Sequence, residues 1–188
     1  MSLTFVARDD ASLPLSLLDA SGLSDWLESQ PVRVQKWVKT SSFTAGFGAC
    51  LVLPSEDGDA AGALVGLGST QARTRTRFAL AAARAVLPAR TFYLVSDLDD
   101  NALKAELLGW LLAGYQFDRY KTNARALAQL RCPDTADAAQ IEAIAAGERL
   151  TRDLINTPAS DMGPPDLENA ARYLASAHSA SISVTEGD

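Results

Sequence analysis

The chain has 188 residues, of which 47% are hydrophobic and 21% charged, a balance that supplies a real core and excludes disorder as the organising principle. Its net charge of −6 disfavours nucleic acid as the partner of the chain as a whole, because phosphate binding rests mainly on Lys and Arg. No window approaches about eighteen uninterrupted apolar residues, which excludes a membrane-spanning helix.

The N-terminus lacks the basic start and apolar run of a secretory signal. Cys50 and Cys132 lie in strand-like runs far apart in sequence and read as two buried reduced thiols. The expected compartment is therefore the cytoplasm.

In chain order, Leu3–Val6 is a short strand candidate, and Leu15–Leu18 is too brief to classify by periodicity. Pro31 suits a first helical turn, and Val34, Trp37 and Val38 continue at helical spacing to Thr40. Ala49–Leu53 and Ala63–Leu67 flank Pro54-Ser-Glu-Asp-Gly-Asp59, whose turn chemistry predicts an antiparallel hairpin. Thr74–Leu87 is Ala-rich and predicts one helix, with Phe78, Ala82, Ala85 and Val86 on its inner face and Pro88 as its stop. Thr91–Val95 is a buried strand.

The clearest helix follows, capped by Asp99 or Asp100. Leu103, Leu107, Leu111 and Tyr115 line its inner face, with Leu108 and Leu112 widening the stripe. Ala124–Leu130 alternates as a strand does. A long helix is predicted from about 134 to 156, stopping because Thr157 precedes Pro158. Asp166–Ala177 is an amphipathic helix with acidic residues in its first turn, and Ser181–Val184 is a strand candidate. These elements predict an α/β fold: a mixed β-sheet flanked by helices on both faces, followed by a linker helix and the start of a second domain.

Two blocks carry a family resemblance. Glu106-Leu-Leu-Gly-Trp-Leu-Leu-Ala-Gly-Tyr-Gln-Phe-Asp-Arg-Tyr-Lys121 is similar to a helix punctuated by glycine and tyrosine that ends in a Phe-Asp-x-Tyr-Lys pattern. Arg152-Asp-Leu-Ile-Asn-Thr-Pro-Ala-Ser-Asp-Met-Gly-Pro-Pro165 resembles an interdomain segment, and Leu167, Ala170, Ala171 and Leu174 continue it. Both belong to the leucyl aminopeptidase (cytosol aminopeptidase) family, and the resemblance covers roughly residues 31–188.

It implies a non-catalytic N-terminal α/β domain over 1–157, and a linker with the beginning of a catalytic domain over 158–188. It also implies a cytoplasmic hexameric parent that removes N-terminal residues from peptides with two divalent metals, zinc or manganese. The family's Asn-Thr-Asp-Ala-Glu-Gly-Arg-like motif is absent here. No catalytic, metal-binding or cofactor-binding residue of the family can be assigned to a position in this sequence, so the chain alone is expected to be inactive.

Other candidate chemistry reads as structure. His178, the single histidine, sits near a helix C-terminus, where partial positive charge is favourable. Asp97, Asp99 and Asp100 read as capping and solvation, and Asp57-Gly58-Asp59 as a turn without the calcium-loop ligand pattern. Gly66-Leu-Gly68 lacks the third glycine and the acidic residue of a dinucleotide fingerprint. No Gly-x-Ser-x-Gly elbow occurs.

Arg73, Arg75, Arg77 and Arg84 form the basic cluster. A two-residue step on a helix turns side chains by about 200°, so Arg73, Arg75 and Arg77 do not form one stripe. Some members of the family bind DNA through surfaces that include this domain, but the acidic balance here argues against that role. The alternative to the peptidase domain is a free-standing α/β module that binds a small ligand or nucleic acid.

Overall fold

The computed structural model describes residues 3–7, 9–121 and 126–187. The chain divides into two units, 1–146 and 147–188. The first unit is built on a five-stranded mixed sheet of order β2-β3-β1-β4-β5, formed by β1 (Leu13–Asp19), β2 (Cys50–Pro54), β3 (Ala60–Gly68), β4 (Thr91–Val95) and β5 (Gln129–Arg131). β1 pairs in parallel with both β3 and β4, β4 pairs in parallel with β5, and β2 is the antiparallel edge. The predicted hairpin is β2–β3, closed by Ser55 N–H donating to Asp59 O at 2.6 Å.

β3 is buried along most of its length, as expected for a strand covered on both faces. Ala63, Val65 and Leu67 point into the main core, whereas Leu64, of opposite parity, is buried outside it. α1 (Leu23–Glu28) and α2 (Val32–Thr40) connect β1 to the hairpin, and α2 buries Val38. The main core collects Leu15 and Leu17 from β1, Phe92 from β4 and the inner faces of two later helices, α4 (Ala79–Val86) and α5 (Asp100–Leu112).

α5 matches its expected form. Asp99 Oδ1 accepts from the N–H groups of Asn101 and Ala102, both at 3.0 Å, which satisfies two orphan donors of the first turn. Leu103, Leu107 and Leu111 are buried and Tyr115 packs against the same core beyond the helix end.

Several expectations are corrected. Residues 74–87 do not make one helix. α3 (Thr70–Arg75) and α4 are separated by Thr76–Phe78, and Phe78 has a left-handed φ of 68°. The buried face of α4 is Ala79, Leu80 and Ala83, and Ala82, Ala85 and Val86 are exposed. The alanine-rich composition gave no contrast from which to phase it.

Leu3–Val6 contributes only a single bridge, Val6 to Arg131. Ala124 and Arg125 of the next expected strand lie outside the described residues. Its remainder is β5, with Ala128 and Leu130 buried as the alternation predicts. The long helix, α6 (Ala138–Asn156), starts later than Asp134. A turn closed by Ala136 N–H on Pro133 O precedes it, and Asp137 Oδ1 accepts from Gln140 N–H at 3.0 Å.

In the second unit α6 continues to Asn156, and Thr157, although buried, is satisfied through its hydroxyl on Asp153 O at 2.7 Å. α7 (Pro164–Ala177) starts on two prolines, and Asp166 Oδ2 accepts from Gly163 N–H at 2.9 Å. The expected strand at Ser181–Val184 is not formed, since no partner strand there takes up its backbone groups. Leu167, Tyr173 and Leu174 of α7 are exposed.

Leu107, fully buried on α5, tests this core. Replacing it with Ala should lower unfolding free energy by about 2–5 kcal/mol, the usual cost of a leucine-sized core cavity. Urea unfolding of both proteins checks it, and a change within about 0.5 kcal/mol would contradict the packing.

Candidate functional site

β1 lies between β3 and β4, so the chain leaves β1 toward one side of the sheet and later crosses to the other. In open α/β sheets, the carboxyl ends of the strands at such a switch point form a crevice where ligands bind. A cavity of about 680 Å³ occupies that position. Asp19 ends β1, Asp25 and Trp26 come from α1, Arg73 from α3, and Asp97 and Asp99 from the turn after β4.

Asp19 organises the crevice. Its Oδ1 accepts from Gly22 N–H at 2.7 Å and from the Ser21 hydroxyl at 2.8 Å, and Arg73 Nη1 stands 3.8 Å from Oδ2. The Gly22 N–H, then the Ser21 hydroxyl, hold its carboxyl below the usual range, with Arg73 adding a smaller pull. Ser96 Oγ accepts from Leu98 N–H at 3.1 Å. Both serine hydroxyls therefore serve local turns, and no histidine lies in this unit. The arrangement can bind and orient polar groups, but it holds no nucleophile–base pair.

Of the residues singled out from sequence, Asp97, Asp99 and Arg73 come together in the crevice, and Asp99 also caps α5. The basic cluster splits. Arg73 reaches Asp19, and Arg84 turns inward, donating from Nη1 to Trp110 O at 2.6 Å and stacking on the Trp110 ring at 5.3 Å. Burial pulls the Arg84 guanidinium pKa downward. Gly66 has no room for a side chain, since a Cβ there would lie 2.1 Å from Gly46 O. Gly66 donates to Ala49 O and accepts from Gly48 N–H, and Gly68 donates to Ala45 O, so both glycines are used in packing two chain segments closely.

His178 is the C-terminal cap of α7 and is exposed. Cys50 and Cys132 are free and half-buried, and burial pushes each thiol up to about 11, which keeps them protonated and unreactive at neutral pH. Among the described residues, no group of three or more His, Cys, Asp or Glu comes together to hold a metal ion. The crevice residues Asp19, Asp25 and Arg73 carried no sequence signal as a set, because only the strand order brings them together.

Comparison with known proteins gives a consistent picture. The family model for the M17 aminopeptidase N-terminal domain matches residues 13–133. A probable cytosol aminopeptidase from Geobacter sp. (strain M21) is 34% identical over 146 residues, covering 66% of this chain and 30% of its own length. A second, from Streptomyces avermitilis, is 36% identical over 128 residues, covering 58% and 25%. The crystal structure of cytosol aminopeptidase from Coxiella burnetii superposes with a TM-score of 0.82 at 29% identity, over 93% of this chain and 38% of that one. The bottromycin maturation enzyme BotP in complex with Mn gives 0.66 at 29% identity, over 90% and 37%. The chain thus spans less than half the length of each of these relatives.

Asp19 provides a pH test. A carboxyl held below its unfolded value contributes stability above about pH 4, and that stability is lost as pH falls through the folded value. Asp19→Asn should therefore lower the urea midpoint at pH 7, with the gap to the parent shrinking by pH 3. A pH-independent gap would show that the carboxylate charge is not what the Gly22 and Ser21 donors stabilise.

Proposed function

Because the chain belongs to the M17 aminopeptidase family, matched in its N-terminal domain, we propose that it is the non-catalytic assembly and regulatory domain of a peptidase that removes N-terminal residues from peptides. The observation that carries this reading is the position of the match. Nearly the whole chain superposes on the Coxiella burnetii aminopeptidase, yet it accounts for only 38% of that protein.

In this reading the catalytic machinery belongs to a separate C-terminal domain with two divalent metals, zinc or manganese, which would polarise the scissile carbonyl and activate water. A manganese complex of BotP supports the metal assignment. In this reading none of this chain's side chains is given a catalytic role. Its partners are that catalytic domain and further copies of itself in a hexamer, with peptide substrate reached only through the catalytic domain.

The domain boundary is placed at 157/158, so that residues 158–188 open the catalytic domain. The exposed Leu167, Tyr173 and Leu174 on α7 support this, since a lone helix cannot bury its own apolar stripe. A cytoplasmic location is supported by the names of the relatives. Among the described residues no helix is long and apolar enough to cross a membrane.

The crevice at the strand ends favours a second reading, a free-standing module that binds a small ligand. The reading frame beyond Asp188 separates the two. A downstream Lys, Asp and Glu ligand set supports the peptidase domain, and a stop codon supports the module.

The activity test is direct. The purified 188-residue chain should not hydrolyse leucine p-nitroanilide above the buffer rate, with or without added zinc or manganese. Metal-dependent turnover that co-elutes with the chain through successive columns would overturn the non-catalytic assignment.

A further inference from the structure

A second cavity, of about 340 Å³, opens beside α5, and its apolar walls include Phe47, Leu67, Phe78 and Leu98. That volume lies at the small end of the range for ligand sites, about 300–1,000 Å³. Such sites are mostly apolar with a few convergent polar groups. Here the charged groups carry both signs, Glu106 from α5 and Arg73 and Arg77 from α3 and the segment after it.

Glu106 is only 8% exposed. Its Oε2 accepts from Leu80 N–H at 2.8 Å, and no hydrogen bond or ion pair from the described residues reaches Oε1. A carboxylate oxygen left without a protein donor beside apolar walls is available to a ligand cation. Arg73 Nη1 is buried with no hydrogen-bond partner and only the 3.8 Å ion pair to Asp19, and Arg77 is exposed with no partner among the described residues. Neither arginine forms an ion pair with Glu106. Phe78 forms part of the wall while held at a left-handed φ of 68°, a strained conformation of the kind that recurs at ligand clamps.

We propose that this cavity binds a small apolar zwitterion, an α-amino acid with an aliphatic side chain. Its ammonium meets Glu106, its carboxylate meets Arg77 and Arg73, and its side chain fills the apolar wall. A group with only one charge leaves either Glu106 or Arg77 unanswered. Glycine satisfies both charges but leaves the apolar surface wet. The proposal stands on the cavity and not on the peptidase reading, and its test contains no activity measurement.

Isothermal titration of the full chain with L-leucine should saturate, and an amide-detected NMR titration should place the shifts around Phe78 and Glu106. Glycine, 4-methylpentanoate and 3-methylbutylamine should each bind at least about tenfold more weakly, a loss of about 1.4 kcal/mol. Glu106→Gln keeps an oxygen for Leu80 N–H and so should retain the fold by circular dichroism. It should weaken leucine at least about tenfold while leaving 4-methylpentanoate unchanged. Arg77→Gln, at an exposed position that does not threaten folding, should weaken leucine and 4-methylpentanoate but spare 3-methylbutylamine. Leucine failing to saturate below about 10 mM would overturn the proposal, as would leucine binding unaffected by Arg77→Gln. So would 4-methylpentanoate binding as tightly as leucine, which would make the cavity a simple carboxylate site.

Discussion

Two charged side chains cross between α4 and α5 in opposite directions, and the arrangement of the first unit depends on them. Glu106 reaches from α5 to the Leu80 N–H in the first turn of α4, where an acid complements the helix dipole. Arg84 reaches back from α4 to the Trp110 and Leu111 carbonyls at the end of α5, where a cation does the same. Each helix thus supplies the end group that the other lacks. α4 needs it, because its N-cap residue is Phe78, which has no side-chain acceptor. Hydrogen bonds to charged groups are typically worth about 1.5–3 kcal/mol, so the two together weigh heavily against ordinary domain stabilities of about 5–15 kcal/mol.

This bracing explains two residues that otherwise look misplaced. Phe78 occupies a left-handed conformation that costs a bulky residue about 1–2 kcal/mol. Its ring lies where any Cβ on Gly109 would stand, at 2.5 Å from Phe78 Cβ. Gly109 is therefore required by the approach of Phe78, not by flexibility within α5. Gly114 bears the same relation to Arg84, whose Nη1 lies 2.4 Å from the position a Cβ would take. The glycine punctuation of the Glu106–Lys121 block is in this sense a record of what α4 presses against it.

The sequence revealed those elements whose stability is local. α5 announces itself by a capping aspartate and a four-residue leucine repeat, β2–β3 by turn chemistry, and β4 by its β-branched and aromatic run. β1 stayed hidden, although it is the central strand, because Pro14 and Ser16 interrupt the apolar run of Leu13–Asp19 and leave no clear strand period. With β1 unread, Asp19 at its end could not be recognised as part of a crevice. The break at Thr76–Phe78 was equally silent, since neither Gly nor Pro marks it and the carboxylate that meets the first turn of α4 comes from another helix. The Ser181–Val184 run has strand composition but no neighbour to pair with. Pattern alone cannot distinguish that case from a real strand.

Arg73 belongs to both the crevice and the apolar pocket. It lines both of them, and stands 3.8 Å from Asp19 in the crevice. An ion pair at that distance and partial exposure is worth little, commonly about 0–1 kcal/mol, so the guanidinium is held loosely enough to be shared. An anion in the crevice and a carboxylate in the apolar pocket would therefore draw on the same guanidinium.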